Sequence, residues 1–87
     1  MPIVRLLGGL RRFGAPEARR PGATVAEALE ASGLPADLLA PAGELNPDLV
    51  VLRNGRNIAF LDGLATRVEE EDRIAVFLHG ARGFPGG

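Results

Sequence analysis

Two hydrophobic periods alternate along the chain, and each marks a different kind of element. Residues 3–7 place Val4 and Leu6 on one side of a two-residue repeat, which predicts a short strand. Gly8-Gly9 ends it, and residues 10–13 fit a helical turn ahead of Gly14. Residues 18–21 read as a weak second strand. Pro21 confines it to an edge or an end, because proline has no N–H to give a ladder. The period then changes. Val25, Ala28, Leu29 and Ser32 recur at helical spacing while Glu27 and Glu30 face out, predicting a helix over 25–32 with one buried stripe. Thr24 opens it as a capping box, its hydroxyl accepting a backbone hydrogen bond while Glu27 reaches back. Gly33 supplies the left-handed stop, and Pro35 opens a second short helical turn through Leu39.

Loop signals at Pro41-Ala42-Gly43 and Asn46-Pro47 return the chain to a period of two. Leu49-Val50-Val51-Leu52 is apolar on both faces, as suits a strand deep in a sheet. Asn54-Gly55 is a strong hairpin signal, since both central residues of the tight turn need positive φ. Residues 57–60 return as a short strand, and 66–68 fit another extended piece. The charged turn Glu69-Glu70-Glu71-Asp72 leads to a last strand over 73–78. In it Ile74, Val76 and Leu78 share one face, and Ala75 and Phe77 the other. The order strand, strand, helix, strand hairpin, strand predicts an α+β domain over residues 1–78, one five-stranded sheet with a helix across a face. Residues 79–87 carry four glycines and a proline and read as a flexible tail ending in Gly86-Gly87. Fully extended, such a tail reaches roughly 30 Å.

Composition narrows the chemistry. Eighty-seven residues, 46% of them hydrophobic, suffice for one small domain with a core of its own. The absence of cysteine excludes disulfides, thiolate catalysis and cysteine-ligated metals, and fits a reducing compartment. A net charge of -1 gives no global attraction to nucleic acid or to an anionic membrane. No cleavable leader or spanning segment is legible, so a cytoplasmic protein that contacts no membrane is expected. All ten basic residues are arginine. Without lysine the chain has no side-chain amine on which to be acylated.

The terminal Gly-Gly and the hairpin-to-last-strand stretch together carry a resemblance. Leu52-Arg53-Asn54-Gly55-Arg56-Asn57-Ile58, then Phe60-Leu61-Asp62-Gly63-Leu64 with Thr66, then Glu71-Asp72-Arg73-Ile74-Ala75-Val76-Phe77, resemble the MoaD group of the MoaD/ThiS superfamily of ubiquitin-like sulfur carriers. That group includes the small subunit of molybdopterin synthase. The resemblance implies a β-grasp (ubiquitin-like) fold and a non-catalytic carrier with no bound cofactor. It implies that the carboxylate of Gly87 is adenylated and converted to a thiocarboxylate, with Gly86 giving the clearance to reach. ATP is then used by a partner adenylating enzyme, a sulfurtransferase supplies sulfur, and the large subunit of molybdopterin synthase is the recipient's host. Carriers for tRNA thiolation, thiamine synthesis or protein tagging share the same end. A β-grasp interaction module with an idle tail is the reading from a different class. The chain departs from the family's usual tail of small residues at Phe84-Pro85, which bears on the identity of the partner.

Individual residues have two readings each. Phe84 is either a partner anchor or packed back on the domain, and Arg82 either meets an acidic rim or is a solvated charge. Phe77 belongs either to an exposed docking face or to a surface covered by a loop. His79 reads as a strand-end histidine over a catalytic or metal-binding one, and Glu69 to Asp72 as a solvated turn over a docking patch. Arg11, Arg12, Arg19 and Arg20 read as surface charge without a nucleic-acid motif. Gly8-Gly9 has neither of the usual phosphate-loop contexts, and no metal-ligand set is present.

Overall fold

The computed structural model describes residues 1–78. Its strands are β1 (Ile3–Leu6), β2 (Glu17–Arg19), β3 (Leu49–Arg53), β4 (Arg56–Asn57) and β5 (Arg73–Leu78), with helices α1 (Val25–Ala31) and α2 (Ala36–Leu39). They form one mixed sheet in the order β2-β1-β5-β3-β4. Only β1 and β5, the first and last strands, pair in parallel. This five-stranded mixed sheet with a helix on one face is the architecture the resemblance implies.

Strand alternation decides which side is covered. Val4 and Leu6 of β1 sit beside Ile74 and Val76 of β5, and Val51 of β3 pairs with Val76. All five are buried, together with Val25, Ala28 and Leu29 from the stripe of α1. Leu10, Leu34, Leu39, Leu49 and Ile58 close the edges of this core. Each such side chain contributes about 1.5–3 kcal/mol of burial. At the start of α1, Glu27 N–H donates to Thr24 Oγ1 at 3.3 Å. The Glu27 carboxylate accepts from Ala23 N–H at 2.8 Å, one residue earlier than a standard capping box. Gly33 ends the segment at φ +102, where a Cβ would lie 2.5 Å from the carbonyl oxygen of Phe13.

Three expectations need correcting. The strand over 57–60 stops at Asn57, and Ile58–Phe60 is a 3-10 turn. Asn57 causes this: its side-chain oxygen accepts from Ala59 N–H at 2.8 Å, caps the turn, and sends Ile58 into the core. Residues 66–68 make only an isolated bridge, Thr24 to Arg67, because a 3-10 turn at Gly63–Ala65 delivers them to the entry of α1 rather than to the sheet. Val25 N–H donates to Thr66 O and Val68 N–H to Ala23 O, both within 3.0 Å. The third concerns Asp72. Glu69, Glu70 and Glu71 are exposed, but Asp72 is 7% exposed and is not a solvated turn residue.

Candidate functional site

β5 lies in the middle of the sheet, bonded to β1 on one side and β3 on the other. Its last residue, Leu78, is held opposite Leu49. The chain beyond Leu78 therefore starts from a fixed point. The sequence candidates Arg82, Phe84, Gly86 and Gly87, and His79 with them, lie outside the described residues.

Phe77 is described, and it joins residues that the sequence reading did not group with it. On the face away from α1 the register sets Phe77 beside Val50, and Ala75 beside Leu52. The same row continues through Arg5 to Glu17 on one side and Asn57 on the other. Ile3 lies between Arg19 and Arg73. Ile3, Val50, Leu52, Ala75 and Phe77 are all half-buried, in contrast to their fully covered neighbours on the same strands. Phe77 is half-buried. It is part of a shallow apolar surface with arginines at one end. The signal for Val50 and Leu52 was present in sequence: a strand apolar on both faces has a second face to use.

The basic end is lightly tethered. Arg5 pairs with Glu17 at 3.2 Å, with both side chains more than half exposed, so the pair is worth at most about 1 kcal/mol. Arg19 Nη1 donates to the carbonyl of Met1 at 3.0 Å. Beside Val50, at the start of β3, lies a groove of about 460 Å³. Leu45, Pro47, Leu49, Val50 and Asn57 are among its lining. One of its lining residues, Leu49, is the register partner of Leu78, the last described residue. Phe60, in the turn after β4, is 83% exposed, an apolar feature that the strand reading of 57–60 concealed.

Asp72 organises the opposite end of β5. Its carboxylate accepts from Arg53 Nε at 2.9 Å, Asn54 Nδ2 at 2.9 Å and Glu69 N–H at 2.7 Å. Asn54 returns the contact by accepting from Arg73 N–H at 2.9 Å. Burial alone would push the Asp72 carboxyl up; the bonds from Asn54, Glu69 and Arg53, with the Arg53 charge, outweigh it and hold the carboxyl below its ordinary range. The tight turn has Asn54 at φ +53 and Gly55 at φ +84, as a primed hairpin requires. Asp72 fastens this turn to the start of β5. It is a positioning group for the strand.

Among the described residues, no group of three or more His, Asp or Glu side chains could hold a metal ion, and no helix is long and apolar enough to cross a membrane.

The ThiS family profile matches residues 4–80. The small archaeal modifier protein 3 of Haloferax volcanii is 46% identical over 35 residues, a stretch that spans 40% of this chain and 38% of that protein. The Amycolatopsis orientalis BexX/CysO complex contains a chain of the same fold, with a TM-score of 0.81 and 24% identity over 95% of this chain and 100% of that one. Small archaeal modifier protein 1 of Methanosarcina acetivorans aligns with a TM-score of 0.75 and 26% identity, covering 94% of this chain and 95% of its own.

Proposed function

Because the chain belongs to the ThiS family of ubiquitin-like sulfur carriers, we propose that it carries sulfur as a thiocarboxylate on Gly87. The observation that supports this most directly is the course of the chain. The central strand β5 launches a glycine-rich segment closing in Gly86-Gly87 from beside an open apolar face.

The chemistry divides between carrier and partners. An oxygen of the Gly87 carboxylate attacks the α-phosphorus of ATP on an adenylating enzyme, and pyrophosphate leaves. Sulfide then attacks the acyl carbon, the bond to AMP breaks, and a terminal thiocarboxylate remains. The sulfur enters from a sulfurtransferase system, and the carrier itself supplies no acid or base. Gly86 keeps the approach narrow and free of side chains. The face of Ile3, Val50, Leu52, Ala75 and Phe77 docks the adenylating enzyme, with Arg5, Arg19 and Arg73 meeting an acidic rim. Arg82 and Phe84 add contacts along the tail.

For the recipient of the sulfur we put forward the molybdopterin precursor, delivered on the large subunit of molybdopterin synthase. The partial likeness to a small archaeal modifier protein favours a second reading, in which Gly87 is joined to amines of target proteins. Intact mass spectrometry tests the core of the proposal. The chain is incubated with adenylating enzyme, ATP and sulfide, beside a copy lacking Gly87. Replacement of one oxygen by one sulfur only when Gly87 is present is the expected result. An unchanged mass, with an enzyme active on another carrier, would overturn it.

A further inference from the structure

An activated acyl end is a hazard to its own carrier, since any exposed amine, thiol or free hydroxyl on a neighbouring copy can capture it. This chain offers almost none: its one amine, the Met1 N-terminus, is an ammonium paired with Glu70 Oε2 at 3.4 Å. It has no lysine, no cysteine and no tyrosine, and its only hydroxyl side chains are Thr24, Ser32 and Thr66. The structure engages all three. Ser32 is 3% exposed, and its hydroxyl donates to the Leu29 carbonyl at 2.7 Å. Thr66 is 5% exposed and its Oγ1 accepts from Asp62 N–H at 3.0 Å. Thr24 is half-buried, with its Oγ1 committed to the first turn of α1. The ten basic groups are guanidiniums, which stay protonated and are poor nucleophiles. His79 lies outside the described residues, and an acyl-imidazole is itself an acyl donor that passes its group on to water.

From this we infer that the chain is a donor only: its activated C-terminus is transferred to other molecules and is not captured by a second copy of the chain. The inference rests on the carrier reading above and adds to it what the acyl group cannot reach. The step that is excluded is ordinary aminolysis. An amine nitrogen would attack the Gly87 acyl carbon, a C–N bond would form, the C–O bond to AMP would break, and the nitrogen would lose its proton to solvent. The product would have the mass of two chains less one water.

The test uses the full chain with adenylating enzyme and ATP, and no sulfur source, so that the adenylate is the most advanced species. Exchange of labelled pyrophosphate into ATP reports activation, and intact mass reports conjugates. The wild-type chain is run beside Arg11→Lys and Arg56→Lys, both conservative changes at exposed positions. The expected result is chain-dependent exchange in all three, one-chain mass for the wild type, and two-chain species in the lysine variants. Exchange with two-chain species in the wild type, mapped to a hydroxyl or to the Met1 amine, overturns the inference and leaves the carrier reading intact. Exchange in all three with no conjugate in either lysine variant also overturns it, because nucleophile supply then does not decide the outcome. No exchange at all overturns the carrier reading and this inference with it.

Discussion

Replacing Asp72 with alanine removes one buried carboxylate and orphans three donors at once: Arg53 Nε, Asn54 Nδ2 and Glu69 N–H. A hydrogen bond to a charged partner contributes about 1.5–3 kcal/mol net. Two of the three donors recover part of this from water, since Arg53 is 29% exposed along its side chain and Asn54 is an exposed residue. The expected loss is therefore about 2–3 kcal/mol, below the simple sum of the three bonds. Urea unfolding at neutral pH reads it out. With a slope of about 1 kcal/mol per molar for a domain of this size, the midpoint falls by about 2–3 M. The pH dependence carries an independent check. The folded-state carboxyl titrates below its ordinary value of 3.8. Its contribution is fully present above 3.8 and is lost as the pH falls through the lower folded value. The wild type should lose stability through that acid window, and Asp72→Ala should lack this component. A variant within about 0.5 kcal/mol of wild type at neutral pH, with an unchanged acid profile, would refute the assignment of Asp72 as the fastening of the hairpin to β5.

Phe77→Asp should leave the fold largely intact, since the side chain is only half-buried, while raising the KM for the adenylating enzyme by about 10–100-fold; steady-state pyrophosphate exchange measures it. Equal KM values for variant and wild type would remove the outer face from the docking surface. Gly33→Ala forces a side chain into φ +102 and against the Phe13 carbonyl oxygen, and should cost about 1–3 kcal/mol by chemical denaturation.

Much of the fold is legible in sequence because its strongest elements satisfy local and tertiary demands together. The stripe of α1, its Thr24 cap and the Gly33 stop all agree, and so do Asn54-Gly55 and the alternation of β5. The failures come where a short polar side chain overrides periodicity. Asn57 turns a strand-like run into a 3-10 turn, and Asp72 leaves an acidic run to become buried, through partners that lie 19, 18 and 3 residues away. No local window contains Arg53 and Asn54 together with Asp72. The outer apolar face of the sheet was half legible: Phe77 stood out, but Val50, Leu52 and Ile3 join it only through strand register.

The parallel pairing of β1 with β5 also has a mechanical consequence. A motor or translocating enzyme that drew the C-terminal segment into its pore would load β5 along its own axis. Resistance comes from β1 on one side and β3 on the other, with Ile3, Val4, Arg5 and Leu6 in register with residues 73–76 and five further pairs to β3. Because the two chain-terminal strands run the same way, tension between the ends shears their ladder rather than peeling it. The bonds must then fail together instead of one at a time. The body of the domain thus holds β5, and with it whatever follows Leu78, along two ladders at once.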